Sequence, residues 1–420
     1  MRKILIFLAL PLAAHFAAAA PGYTAVRIPG ADLYGTAIND SGVVVGYYFH
    51  GFPVERQAFV WQGGVTSDLA FPGSIASTAT GINNSGEITG IVRIDNNYPG
   101  FIYRGGQFSL FGSYSDYGDG PVAINAPGNV AGTDADGYAF YRRNGNILRP
   151  DGDKYSSAFA LNDRGQVVGQ VVHENRNSST KRAAIFFQKP SKNSVAEIPL
   201  PPDLTGYIQS NASGINASGQ IVGTGSGIYK KHGYRYFGFI SQAGATSYVG
   251  SPGSTTYPSS LAINNRGQIV ATVKVGDGSS FAALRNDSRF LDLNKLAPLP
   301  AGVSLDQAAA INSTGQILTR GSDDSGNNVC FVLTPVATAK ITTRPPGATA
   351  SNAIAIHGRA TGKVKQIVYR VGFTGRWKTA AGKARWHLLA QLRPGKNFVN
   401  VIARTAHGDS PPDQIAVTRR

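Results

Sequence analysis

The stretch Ala37-Ile-Asn-Asp-Ser-Gly-Val-Val-Val-Gly46 decides the fold, because it recurs. Its further copies are GINNSGEITG (81–90), AINAPGNVAG (123–132), ALNDRGQVVG (160–169), GINASGQIVG (214–223), AINNRGQIVA (262–271) and AINSTGQILT (310–319). The shared asparagines stand at 39, 83, 125, 162, 216, 264 and 312, so the period runs from 37 to 54 residues. Asn can hydrogen-bond its own following backbone and Gly accepts a positive φ, so Asn-x-x-Gly reads as a tight hairpin turn. A second apolar block follows in each unit, as in Ala58-Phe-Val-Trp61, Gly100-Phe-Ile-Tyr103 and Cys330-Phe-Val-Leu333, often with a Gly-Gly or Asn-Gly turn behind it. Alternation and β-branched enrichment make each block a strand, and each unit a four-stranded antiparallel sheet.

The phase of the repeat bears on closure. Tyr23-Thr-Ala-Val-Arg-Ile28 matches the unit-ending strand around Thr66-Ser-Asp-Leu-Ala-Phe71, whereas the seventh unit stops after its third strand near Thr334. The leading segment can therefore supply the missing fourth strand. A ring closed in this way has no orphan edge, while an open solenoid would need polar capping repeats. The expected fold is all-β: a seven-bladed β-propeller closed by an N-terminal strand, followed by a small immunoglobulin-like β-sandwich. The run [Ala/Gly]-Ile-Asn-x-x-Gly-x-Val-Val-Gly with its Ala-Phe-Val-Trp block resembles the HAF-repeat extracellular proteins over about residues 23–334. Gln57 and Tyr138 stand where that family has the His of its His-Ala-Phe triplet. The resemblance implies an exported repeat protein and carries over no catalytic residue.

The first twenty residues, MRKILIFLALPLAAHFAAAA, place Arg2 and Lys3 before an apolar run and a small-residue end, the pattern of a signal peptide. No later apolar run approaches the ~20 residues of a membrane-spanning helix. A secreted or periplasmic location is expected. The single cysteine, Cys330, allows no internal disulfide and occupies a slot filled elsewhere by alanine, so it is expected as a small core residue. Domain boundaries are expected at 1–20 (signal peptide), 21–335 (propeller), 336–350 (linker) and 351–420 (sandwich).

Charge divides the chain along the same line. Of the formal net charge of +16, residues 21–339 carry +1, with 23 basic and 22 acidic side chains, and residues 340–420 carry +13, with 15 basic and only Asp409 and Asp413 acidic. Gly358-Arg-Ala360, Trp386, Leu392-Arg-Pro-Gly-Lys-Asn397 and Val401-Ile-Ala403 resemble a bacterial immunoglobulin-like sandwich. Alternation on its strands, as where Arg385 and His387 flank Trp386, sends the charges to solvent. Lys363, Lys365, Arg370, Arg376, Lys378, Lys383 and Arg385 are candidates for docking to an anionic surface. No nucleic-acid motif is present, and nucleic acid is not the expected partner.

In a four-stranded blade the two hairpin turns lie at one end, and the connection between strands two and three lies at the other with the inter-blade connector. The short repetitive turns therefore share one face, and the long dissimilar segments share the opposite one, where binding usually resides. The candidates on that face are Tyr48, His50, Tyr117, Tyr155, His173, Arg176, Tyr207, His232, Tyr234, Arg235 and Tyr257, beside Lys181 and Arg182. Tyrosine offers a flat apolar body and a hydroxyl, which suits a sugar ring, although such rings can equally wedge between blades. The expected function is non-catalytic binding of carbohydrate or another envelope ligand. One alternative is a metal-dependent polysaccharide lyase or hydrolase using His50, His173 and His232; another is a structural envelope or matrix protein. No catalytic residue, metal or cofactor is assigned, since no pair has diagnostic spacing; Asp134-Ala-Asp136 lacks the other ligands of a calcium loop.

Overall fold

The computed structural model describes residues 22–420 except 52–53, 115–119, 151–154, 176–177, 188–194, 230–232, 251–254, 287–288, 344–346, 363, 373–375, 406–407 and 411. The described chain is all-β, with one 3-10 turn at Leu293–Lys295. Seven four-stranded antiparallel sheets follow one another between Tyr23 and Pro335 in a propeller-like arrangement. Six are built from four consecutive strands, such as Leu33–Ile38, Val44–His50, Glu55–Gln62 and Val65–Asp68 in unit one. The seventh takes its outer strand from the other end of the chain: Tyr23–Arg27 pairs antiparallel with Asn328–Pro335, from Tyr23 opposite Pro335 to Arg27 opposite Phe331.

The repeated asparagine explains both the turn and the succession of units. All seven are buried, at 2–5% exposure. Each accepts through Oδ1 from its own downstream backbone; Asn216, for example, receives the N–H groups of Ser218 (3.1 Å) and Gln220 (3.0 Å). Each then donates through Nδ2 to the carbonyl of the next asparagine: Asn39 to Asn83, Asn83 to Asn125, Asn125 to Asn162, Asn162 to Asn216, Asn216 to Asn264 and Asn264 to Asn312. Asn312 donates to Asn39 at 2.8 Å, so the cycle closes. In five units the other amide hydrogen goes to the side chain four residues on: Glu87, Gln166, Gln220, Gln268 or Gln316.

The glycine seven positions after the asparagine has a steric cause. The first strand of each unit carries a register shift, as between Gly35 and Ala37 or Ala158 and Ala160, which drives a carbonyl toward the facing strand. A Cβ at Gly46, Gly90 or Gly169 would overlap the carbonyl of Tyr34, Thr78 or Ser157. The bulged residue is itself used: Thr36, Thr80 and Ser213 donate hydroxyls to carbonyls of the following unit at 2.7–2.9 Å.

The tail is a two-sheet sandwich. Trp386, Ile356, Leu388 and Ala390 of one sheet pack on Ile367, Tyr369, Val399 and Val401 of the other. Gly358 lies directly beneath the Trp386 indole, where a Cβ would overlap the ring. The expected linker 336–350 is corrected: Thr338–Ile341 pairs with Ala353–Thr361, and Ala348–Thr349 runs parallel to Asp413–Arg419. The sandwich thus begins almost at once after the ring.

It also docks on the asparagine-turn end of units five and six. Arg266 Nε lies 3.4 Å from Asp413 Oδ1, and Lys396 Nζ donates to the Ser218 carbonyl at 3.2 Å. Asp413 is buried, and its other oxygen accepts from the Ile341 N–H at 2.6 Å. Burial raises its pKa above the ordinary value, against the lowering effect of Arg266.

Asn216→Ala removes a saturated buried amide and should cost about 2–4 kcal/mol in urea unfolding. Asn216→Asp should cost more, because it buries a carboxylate against two acceptor oxygens, the Asn264 carbonyl and Gln220 Oε1, in place of the amide that donates to both. Arg266→Ala should destabilise docking by about 3 kcal/mol at about pH 7, read as accelerated proteolysis around residue 336. A carboxyl with a raised folded pKa contributes more stability as pH falls through that value. The Arg266→Ala penalty should therefore shrink when the pH is lowered to about 4.5.

Candidate functional site

Since the asparagine and glycine turns occupy one end of every sheet, the longer connections lie at the other. There, across units four to six, a groove of about 360 Å³ runs between Lys181, Gln209–Asn211, Ser226, Tyr236, Tyr257 and Lys274. Tyr257 opens the first strand of unit six, and Tyr236 lies on the third strand of unit five. Their rings stack at 4.5 Å with an interplanar angle of 16°. Tyr234 stands edge-on to Tyr236 (5.9 Å, 87°), and its hydroxyl is held by Ser226 Oγ at 2.7 Å. Tyr236 nevertheless remains 50% exposed, so the stack offers a flat ring to solvent. Exposed Lys181 and Lys274 also line the groove. Flat aromatic faces beside amides, hydroxyls and ammonium groups can hold a polyhydroxylated ring bearing an acid group.

The expected residues distribute unevenly around this face. Tyr257 lines the groove and Tyr234 abuts it. Arg235 instead donates to the Tyr234 carbonyl at 2.8 Å. Tyr155, 48% exposed, stacks on Tyr138 of the preceding unit (5.7 Å, 26°) in another sector, where Arg149 covers Tyr138 at 5.4 Å. Arg149 also bridges Asp134 (2.6 Å) and Asp136 (2.7 Å), so these carboxylates form a salt-bridged turn. Tyr48 donates to Asp68 at 2.9 Å; burial, with this bond, pushes its pKa up to about 12. His50 lies beside Tyr48 at 5.9 Å, and His173 Nε2 pairs with Glu197 at 2.7 Å. These two histidines belong to units one and four and do not share a site. Tyr117, Arg176, His232 and the side chain of Tyr207 lie outside the described residues. Among the described residues there is no group of three or more His, Cys, Asp or Glu able to hold a metal ion.

Two groove residues, Tyr236 and Lys274, were not among the expected ones. The alternation in Tyr234-Arg-Tyr236 was the available signal, since residues two apart on a strand share a side. The anionic-surface candidates also divide. Lys365, Arg370 and Lys378 belong to one sheet of the sandwich, with Arg376 just before Lys378 and the Arg370 guanidinium covering Trp377 at 4.6 Å. Arg385 belongs to the other sheet, with Lys383 just before it, and Lys363 lies outside the described residues. The seven therefore do not form one face.

Cys330 is fully buried where unit seven meets unit one, accepting from Gly35 N–H (3.2 Å) and donating to the Leu33 carbonyl (3.1 Å). Burial pushes its thiol pKa up to about 11. At about pH 8 a disulfide reagent should leave the folded protein unlabelled and titrate the thiol only in denaturant; labelling of folded protein at the denatured rate would mean the seam is open.

No protein-family model and no curated protein matches the chain. Among solved structures, one described as "YCF48 bound to D1 peptide" covers 77% of this chain and 97% of its own, at 11% identity and a TM-score of 0.46. A second, described as "Structures of Clostridium thermocellum CbhA fibronectin(III)-like modules", covers 49% of this chain and 88% of its own, at 15% identity and a TM-score of 0.18. The chain is similar to both only at the level of loose backbone overlap.

Proposed function

We propose that this is an exported, non-catalytic binding protein of the HAF-repeat type, a seven-bladed β-propeller followed by an immunoglobulin-like sandwich. Its loop face binds carbohydrate, and its basic sandwich docks to an anionic surface. The observation that carries the carbohydrate reading is the half-exposed Tyr236 ring stacked on Tyr257, in a groove furnished with amides and two lysines. A sugar ring covers an aromatic face with its axial C–H groups while its hydroxyls reach neighbouring polar side chains. Lys181 and Lys274 favour a sugar that carries a carboxylate or sulfate. The repeat, its closure by Tyr23–Arg27 and the two-sheet tail support the architecture. The leader-like first twenty residues support export.

The full-length protein should bind acidic glycans on a carbohydrate array. Tyr236→Ala and Tyr257→Ala should each weaken the signal by about tenfold, roughly 1.4 kcal/mol. Tyr155→Ala, in a different sector, should leave it unchanged. Equal signals from all three variants and the parent would overturn the groove assignment.

A further inference from the structure

The sandwich carries a row of cations that the composition alone does not reveal. In the sheet containing Thr338–Ile341, Ala353–Thr361 and Arg385–Gln391, Lys340 is directly opposite Arg359, and Arg359 is directly opposite Arg385. Directly opposed residues point to the same side of a sheet, and all three are exposed, so none of the described residues of the ring covers them. Adjacent strands lie ~4.8 Å apart, so the three cationic residues are rooted in a line across the sheet at that spacing. Among the described residues none of the three forms an ion pair. Asp413 interacts electrostatically with Lys340 but is buried and turned to Arg266 and the Ile341 N–H. Like charges set directly opposite one another destabilise a sheet, so packing and solubility do not account for a row in strict register. The next exposed row is His357 opposite His387, with rings 6.1 Å apart, and the one after is Ala355 opposite Leu389.

We propose that this face, Lys340, Arg359 and Arg385 flanked by His357 and His387, is the docking surface for a linear acidic polysaccharide bearing carboxylates. Three features favour that occupant. The cations form a line, which suits a polymer with regularly repeated charges. Two are arginines, whose planar fork matches a carboxylate in a bidentate arrangement. The imidazole row runs alongside them and supplies ring faces for the edge of a sugar chain lying on the cations. This deepens the docking role proposed above and rests on it, and it adds a second attachment for the polymer whose sugar the tyrosine groove takes.

The test uses the full-length protein and polyuronate of defined length, with binding measured by calorimetry over a range of salt concentrations. The triple variant Lys340→Ala/Arg359→Ala/Arg385→Ala should lose more than tenfold in affinity and much of the salt dependence. Lys365→Ala/Lys378→Ala, on the other sheet, should lose less than threefold. Arg359→Lys/Arg385→Lys keeps the charge and removes the fork, and should fall between them. These side chains are exposed, and an unchanged thermal midpoint checks that the variants fold. Retained affinity in the triple variant, with loss in the Lys365/Lys378 variant, would leave anionic docking standing and overturn this site. Failure of the parent to bind any polyanion would overturn both. Tighter retention on phosphatidylglycerol vesicles or on duplex DNA than on polyuronate would overturn the assigned occupant.

Discussion

Every sheet of the ring is located by one hydrogen bond, from an asparagine side chain to the backbone carbonyl of the next asparagine. Its strength comes from the completeness of each amide's satisfaction. In Asn216 and Asn264 the oxygen holds the hairpin of its own unit while the two amide hydrogens are divided between a neighbouring Gln and the following unit. A buried amide with all its partners is specific about geometry, because a misplaced unit would leave several polar groups dry and unpaired. The same residue therefore sets the local turn and the position of the next sheet, and Asn312 returning to Asn39 makes the succession finite.

That constraint divides the molecule into two ends with different freedoms. The turn end must repeat, since each Asn-x-x-Gly is bound to its neighbours; the opposite end carries no such requirement and varies in length and composition. The sandwich occupies part of the repetitive end, through Arg266–Asp413 and Lys396–Ser218, and leaves the groove of units four to six open. It is notable in charge terms that a tail with only two acidic residues commits one of them, Asp413, to the contact with the ring. Lys396 is spent on the same contact, whereas Lys340, Arg359 and Arg385 stay exposed and fall into register.

How much could be read in advance follows from the range of each interaction. The turns, the strand alternation of Arg385-Trp-His387 and the supply of a last strand by Tyr23–Arg27 rest on periodicity, and periodicity is written along the chain. The tyrosine site was only half legible. Tyr257 stood out by recurrence before the asparagine motif, whereas its partner Tyr236 comes from another unit and a different strand. Arg149 capturing Asp134 and Asp136, and Glu197 pairing with His173, likewise join segments with no common pattern. Thr338–Ile341 reads as linker in the sequence because its short run is surrounded by Thr and Pro, and only its pairing with Ala353–Thr361 makes it part of the sandwich.

By itself the sequence determined an all-β chain of repeated four-stranded units, a near-neutral ring segment and a basic tail. These depend on residue type at a fixed spacing, a property of covalent order. The tertiary structure alone decided which tyrosines stack, which carboxylates are already taken, where the sandwich rests and which cations stand in one row. Those outcomes depend on strand register and on contacts between units tens to hundreds of residues apart, and register is settled only when the sheets pair.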